Sequence, residues 1–214
     1  MLYVNDIFYS IQGESSFAGY PCKFVRLAGC NLKCSYCDTK EALDIKNSKH
    51  LSISEIISSL YSIGGGNNIK LIEITGGEPL LQEDIFSLFE ELIKLNYHIL
   101  LETNGTISLK KVNKKIVKIV DVKCPSSGFS KEFNYENLKY IGISDEVKFV
   151  IGTEEDYCFA KDFLKANKIK TDKLIFSAVE FEGSISSKEL ADKILKDGLK
   201  VRLGIQLHKI LRLK

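Results

Sequence analysis

Lys70-Leu-Ile-Glu-Ile-Thr75-Gly-Gly-Glu-Pro79 runs directly into Leu80-Leu-Gln-Glu-Asp-Ile85-Phe-Ser-Leu-Phe89-Glu-Glu-Leu-Ile-Lys94. The two runs read together as a strand, a glycine-rich loop and a helix. Residues 70–75 are apolar and β-branched, as a buried strand requires. In 80–94 the residues Ile85, Leu88, Phe89, Leu92 and Ile93 form one helical stripe. The same unit recurs in both directions along the chain. Residues 23–27, 98–103, 117–122, 146–151, 173–178 and 200–205 read as further strands, and 52–60, 155–166 and 188–195 as further helices. Ser52 with Glu55 three residues on is a capping-box pattern. Alternation of this kind predicts βαβ units and a largely parallel sheet, an α/β fold. Gly64-Gly-Gly-Asn-Asn68 and Pro125-Ser-Ser-Gly128 mark connecting turns. No repeat, low-complexity tract or compositional break divides the 214 residues, so one domain spanning 1–214 is expected.

Parallel α/β sheets build their sites at the C-terminal ends of the strands. Four polar or glycine-rich loops fall there. One carries the cysteines after the strand ending near Gly29; the others are Thr75-Gly-Gly-Glu-Pro79, Glu102-Thr-Asn-Gly105 and Asp121-Val-Lys-Cys124. They imply one shared mouth. In the first, Cys30, Cys34 and Cys37 are spaced C-x3-C-x2-C. Soft thiolates select iron–sulfur clusters or zinc. A structural zinc site takes four closed ligands, usually as two C-x2-C pairs, and no second pair is present. Cys22 lies in a strand-like run, Cys124 beside Pro125 and Cys158 in a helix-like run. Three thiolates on a cubane leave its fourth iron open to an amino and a carboxylate group from one ligand, the chelate that the methionine end of S-adenosylmethionine presents. A zinc knuckle that borrows a distant ligand is the alternative.

The composition is that of an ordinary soluble protein, with 44% hydrophobic and 27% charged residues. No apolar run approaches the ~18 residues of a membrane span. Thirty basic and 28 acidic residues give a net charge of +2 without a basic block, so nucleic acid is not an expected partner. Met1-Leu-Tyr-Val-Asn-Asp6 has an acid where a signal peptide has basic residues, so a cytoplasmic location and reduced thiols are expected.

The cysteine loop, with Tyr36 before its last cysteine, resembles the signature of the radical S-adenosylmethionine superfamily, and Thr75-Gly-Gly-Glu-Pro79 is similar to that superfamily's glycine-rich motif. Further blocks narrow the resemblance to the 7-carboxy-7-deazaguanine synthase family. They are Phe8-Tyr-Ser-Ile-Gln-Gly-Glu14, Gly19-Tyr-Pro21, Phe24-Val-Arg-Leu27, Cys37-Asp-Thr39, Asp121-Val-Lys-Cys-Pro-Ser-Ser-Gly128, Glu146-Val-Lys-Phe-Val150 and Val201-Arg-Leu-Gly-Ile-Gln-Leu-His-Lys209. The resemblance covers nearly the whole chain. It implies a compact, incomplete (β/α) barrel and a carbon–nitrogen lyase. That enzyme turns 6-carboxy-5,6,7,8-tetrahydropterin into 7-carboxy-7-deazaguanine with loss of ammonia, toward queuosine. It also implies a homodimer and an electron donor such as a flavodoxin or ferredoxin.

For this sequence the resemblance implies that Cys30, Cys34 and Cys37 hold a [4Fe–4S] cluster. Tyr36, Asp38, Gly77, Asp121, Val122 and Lys123 would contact S-adenosylmethionine. The Thr39 hydroxyl would ligate Mg2+, a hard cation that prefers oxygen. Ile11, Gln12, Gly13 and Glu14 would face the pterin, Arg26 would pair with its carboxylate, and Thr75 would add a hydroxyl. Read alone, Thr39 would be a cap and Arg26 a structural ion pair. Two departures stand out. Ser15 replaces the glycine that commonly follows Gln-Gly-Glu, so the loop is expected to turn differently; and the chain ends in a basic tail, Ile210-Leu-Arg-Leu-Lys214. The rival readings are an enzyme that places a radical on a glycine of a partner protein, and a metal-stabilised binding module without turnover.

Overall fold

The computed structural model describes residues 1–179 and 181–213. One nine-stranded sheet organises them: β1 (Leu2–Ile11), β2 (Pro21–Leu27), β3 (Lys49–Leu51), β4 (Leu71–Gly76), β5 (His98–Thr103), β6 (Val117–Asp121), β7 (Glu146–Ile151), β8 (Leu174–Ala178) and β9 (Arg202–Gly204). Their spatial order is β3-β1-β2-β4-β5-β6-β7-β8-β9. From β2 to β9 every pairing is parallel, while β1 runs antiparallel to β2 and to β3. The sheet does not close on itself. Helices α1 (Ile53–Ser62), α2 (Ile85–Lys94), α3 (Glu154–Ala166), α4 (Ser187–Asp197) and α5 (Leu207–Leu211) accompany it. The result is the expected α/β architecture, an incomplete (β/α) barrel.

Successive strand residues point to opposite faces, and here the two faces have different chemistry. Ile72, Ile74, Ile99, Leu101, Val147, Phe149, Ile151 and Phe176 join the core that also buries Ile56 and Leu60 of α1, Leu88 and Leu92 of α2, Phe163 of α3 and Leu190 of α4. Their neighbours in sequence, Glu73, Thr75, Glu102, Asp121, Lys148 and Ser177, face the other side and line a cavity. Beneath that cavity lie two small apolar clusters, Phe8 with Cys22 and Phe24, and Leu100 with Val117 and Ile119. The sheet is thus dry outside and polar at its inner mouth.

Three details differ from the sequence expectation. The 80–94 helix is split into a 3-10 turn, Pro79–Leu81, and α2. Gln82 breaks it: its side chain accepts from Tyr3 N at 2.7 Å and donates to Tyr3 O and Ala28 O at 3.0 Å each, which ties β1 to the end of β2. β1 was not anticipated, because its alternation changes phase. Leu2 and Val4 belong to the outer core, a bulge intervenes between Val4 and Asp6, and Phe8 then points inward. The strand expected over 200–205 is only Arg202–Gly204, and β3 and α5 carry too short a pattern to be read. Each of the other expected helices is present within about two residues, and α1 has the capping box of Ser52 and Glu55.

Candidate active site

The C-terminal strand ends and α5 surround a cavity of about 290 Å3. All three cysteines of the motif line it. Their loop has no regular structure, and its course is set by hydrogen bonds that do not need the thiols. Ser35 N donates to Ser127 O at 3.2 Å, Ser35 Oγ to Ser126 O at 2.6 Å and Cys37 N to Cys34 O at 3.1 Å. The 124–128 turn that receives Ser35 is itself anchored by Asp156, a fully buried carboxylate that accepts from Ser126 N (2.8 Å), Ser126 Oγ (2.6 Å), Gly152 N and Thr153 N (2.9 Å each). Cys30 is held from the other side, where Leu32 N lies 3.4 Å and Asn104 Nδ2 3.9 Å from its sulfur. Burial pushes the Cys30 and Cys34 thiols up, against the pull of the Lys123 ammonium.

The glycine-rich loop packs directly against the cysteine loop. Gly77 N donates to Leu27 O at 3.1 Å and Glu78 N to Gly29 O at 2.8 Å. Glu78 is fully buried and accepts from Leu80 N, from Thr103 Oγ1 and from Asn104 N at 2.8 Å, which joins this loop to the end of β5. Burial raises its carboxyl to about 7 in spite of those donors. Only glycine fits at 77, because a Cβ would lie 2.1 Å from Gly29 O and 2.9 Å from Ala42 O. Gly77→Ala is therefore expected to force the two loops apart, lowering apoprotein stability by about 1–3 kcal/mol, as overpacking does. Thermal melting of the apoprotein and iron content after reconstitution measure this; an unchanged melt with full iron loading would show that the two loops can separate freely.

Next to the cysteines are two buried polar atoms without a hydrogen-bond partner among the described residues, the Tyr36 hydroxyl and Asp121 Oδ1. Both residues line the cavity. A buried polar atom without a partner is costly, so these atoms mark where a polar ligand belongs. Asp121 Oδ2 pairs with Lys123 Nζ at 2.7 Å. Burial lowers the Lys123 ammonium, but Asp121 and Cys34 more than offset it and hold the amine above its ordinary range. Three cavity thiols beside unpaired oxygens and a fixed ammonium form a donor set that fits an iron–sulfur cluster with a polar cofactor at its open face.

The remaining wall is a network of charged groups. Lys148 Nζ donates to Glu14 Oε2 and to Glu102 Oε1, 2.7 Å each, and Thr75 Oγ1 donates to Glu102 Oε2 at 2.9 Å. Gln12 donates through Nε2 to Glu73 and accepts from Glu14 N at 2.8 Å. The segment around α5 closes this wall: Leu207 N donates to Gly13 O, Gln206 Nε2 to Glu14 Oε1 at 2.7 Å, and Lys209 Nζ lies 3.2 Å from Asp38 Oδ2. Arg26 lies over the Phe8 ring and donates to Thr39 Oγ1 at 2.8 Å, while Thr39 Oγ1 donates to Asp38 Oδ1 at 3.1 Å.

Comparison with known proteins supplies the family. A family model described as the Radical SAM superfamily matches residues 25–123. The 7-carboxy-7-deazaguanine synthase of Koribacter versatilis is 40% identical over 97% of this chain and 96% of its own length, and that of Chlorobaculum tepidum is 38% identical over 97% and 93%. The chain belongs to the 7-carboxy-7-deazaguanine synthase family. The fold is shared with QueE from Escherichia coli, which superposes with a TM-score of 0.75 at 21% identity, over 97% of this chain and 94% of that one. A structure of Streptococcus suis SuiB bound to S-adenosylmethionine gives 0.52 at 18% identity, over 81% and 44%.

Of the residues that the resemblance to the synthase family singles out, Ile11, Gln12, Gly13, Glu14, Arg26, the three cysteines, Tyr36, Asp38, Thr39, Thr75, Gly77, Asp121 and Lys123 share this cavity. Val122 does not line it; its side chain is fully buried in the outer core and its amide donates to Lys148 O. Ser15 adopts φ 61°, the left-handed region that favours glycine. Lining residues that were not anticipated include Glu73, Lys148 and Gln206. The signal was present for the first two, since each is a charged residue at an inward position of a buried strand.

Proposed function

We propose that this chain is a 7-carboxy-7-deazaguanine synthase, acting as one radical S-adenosylmethionine unit. It converts 6-carboxy-5,6,7,8-tetrahydropterin to 7-carboxy-7-deazaguanine with release of ammonia. The observation that carries this reading is a single cavity that joins the three cysteines to the 11–14 segment, Arg26 and Thr75, within relatives of that name over their full length. Cys30, Cys34 and Cys37 would hold the cluster. Tyr36, Asp38, Gly77, Asp121 and Lys123 would contact S-adenosylmethionine, with the Val122 backbone between them. When bound, the cluster and S-adenosylmethionine would supply radical chemistry at the substrate.

The protein's own part is orientation and exclusion of water. Glu14 and Gln12 are fixed by Lys148, Gln206 and Glu73, so the 11–14 segment presents its groups without further ordering. Residues 206–209 strap this segment and Asp38 together across the mouth. Among the described residues the Arg26 guanidinium donates only to a neutral hydroxyl, which leaves it suited to a substrate carboxylate. Mg2+ at Thr39 is part of the reading, with Asp38 as a neighbouring hard oxygen. Thr39 Oγ1 accepts from Arg26, and it is the hydroxyl that would hold the cation. A flavodoxin or ferredoxin as donor, a homodimer and a cytoplasmic location complete the proposal. Among the described residues no helix is long and apolar enough to cross a membrane.

The deciding experiment is an anaerobic assay of reconstituted protein with S-adenosylmethionine, a reductant, Mg2+ and the tetrahydropterin, read by mass spectrometry. Formation of 7-carboxy-7-deazaguanine supports the reading. Cofactor cleavage without that product would overturn the substrate. For Thr39→Ala, turnover is expected to fall several-fold at limiting Mg2+ with iron content intact; a magnesium response identical to that of the parent protein would remove Thr39 from the metal site.

A further inference from the structure

Three carboxylates face the same part of the cavity, and one ammonium serves them. Lys148 donates to Glu14 and Glu102. Glu14 also receives Gln206, and Glu102 also receives Thr75, so all four of their oxygens are engaged. Glu73 receives much less. Its Oε2 accepts from Gln12 Nε2, and among the described residues its Oε1 has no donor. Yet Glu73 is only 6% exposed, and its register partners on β2 and β5 are Phe24 and Leu100, both buried and apolar. A carboxylate in such surroundings is expensive unless donors reach it. Burial first, then the nearby Glu102 and Glu14 charges, push its carboxyl well above the ordinary range. The direction is that of an anion short of donors.

The same floor carries two aromatic side chains, with the Arg26 guanidinium over the Phe8 ring. Phe8 and Phe24 are stacked with their ring centroids 4.8 Å apart, and both line the cavity. A carboxyl edge beside an aromatic floor is a receptor for a planar heterocycle that presents two adjacent N–H donors.

We propose that Glu73 is a specificity-determining residue of the substrate site, whose carboxyl receives the ring N–H and exocyclic amino group of the bound amino-pyrimidine. This rests on the synthase reading, because the tetrahydropterin and the deazaguanine share that edge. It assigns the edge to Glu73, whose Oε1 has no donor among the described residues and whose Oε2 accepts only from Gln12, rather than to Glu14, both of whose oxygens are taken by Lys148 and Gln206. Glu73 is thereby a positioning group for the ring and takes no part in bond making.

The test uses cluster-loaded protein and two ligands, 7-carboxy-7-deazaguanine and its analogue lacking the exocyclic amino group, with binding followed by anaerobic calorimetry. Glu73→Leu places an apolar side chain between Phe24 and Leu100, so the fold is expected to persist; Glu73→Gln keeps an acceptor for Gln12. The parent protein is expected to prefer the amino ligand by about tenfold or more, and Glu73→Leu to weaken that ligand by about 10–100-fold while changing the analogue less than about threefold. Glu73→Gln is expected to fall between them. Equal loss for both ligands would indicate a merely structural role and overturn the assignment, as would unchanged affinity for the amino ligand in Glu73→Leu. A parent protein that binds neither ligand would overturn the synthase reading and this inference with it.

Discussion

Replacing Cys34 by alanine is expected to give a folded, colourless and inactive protein. The loop's shape does not depend on the thiol. It is fixed by Ser35 on the 126–127 carbonyls, by Leu32, which is 3% exposed, and by Glu78 N on Gly29 O. Thermal melting of the apo form should therefore match that of the parent. Cluster binding should not survive, because removal of one of three thiolates leaves two irons without a protein ligand. Turnover is expected to fall by at least about a thousandfold, since catalysed rates exceed uncatalysed ones by ~10^6 or more and the radical source would be absent. Cys158→Ala is the control. That residue is exposed on α3 and does not line the cavity, so iron content and rate should stay at parental values. Iron analysis and visible absorbance after anaerobic reconstitution decide the matter. Full iron loading of Cys34→Ala would remove Cys34 from the cluster.

The strand-end loops were legible in the sequence because two independent signals coincide there. Periodicity locates the strands, and loop composition marks which ends carry polar groups. Thr75, Gly77, Asp121 and the cysteines were found in this way, and the structure brings them to one cavity. What was not legible is long-range. Asp156 lies 30 residues beyond Ser126 and has the sequence signature of a helix cap, which it also is, as the partner of Thr153. Nothing local announces that its second pair of bonds holds the turn beneath Ser35. Gln82 likewise reads as one more helical residue, whereas its side chain joins β1 to β2. Such residues act through partners far away in the chain, and neither propensity nor spacing encodes them. The inward charges are an intermediate case. Glu73, Glu102 and Lys148 sit on strands otherwise rich in Ile, Leu, Val and Phe, and alternation places all three on one face. That pattern identifies a polar interior; only the three-dimensional register shows that one lysine is shared between two of the three carboxylates.

Lys148→Met tests that sharing, and it is expected to be strongly destabilising. The Lys148 side chain is 7% exposed and pairs with Glu14 and Glu102, whose side chains are 24% and 30% exposed. Removing the ammonium leaves two facing carboxylates in a poorly hydrated wall. Breaking a buried pair costs about 3–5 kcal/mol, and at about 2–4 °C per kcal/mol for a chain of this size the melting temperature should fall by about 6–20 °C. The pH dependence gives a second readout. Burial raises the Glu102 carboxyl, but Lys148 more than offsets this and holds it at about 2, below its ordinary value of 4.5. A depressed carboxyl contributes stability that is fully present above 4.5 and is lost as pH falls toward 2. This acid-sensitive contribution should be present in the parent and absent from Lys148→Met, so the two melting curves should converge as the pH is lowered. Glu102→Gln in the Lys148→Met background removes one of the opposed charges and should recover much of the loss at neutral pH. A melting temperature within about 2 °C of the parent for Lys148→Met alone, a change of no more than about 1 kcal/mol, would mean that the 11–14 segment does not depend on this ion triad. If the triad does hold it, substrate KM should rise in Lys148→Met more than kcat falls, because Glu14 is displaced while the cysteine loop, anchored separately through Asp156 and Glu78, is left in place.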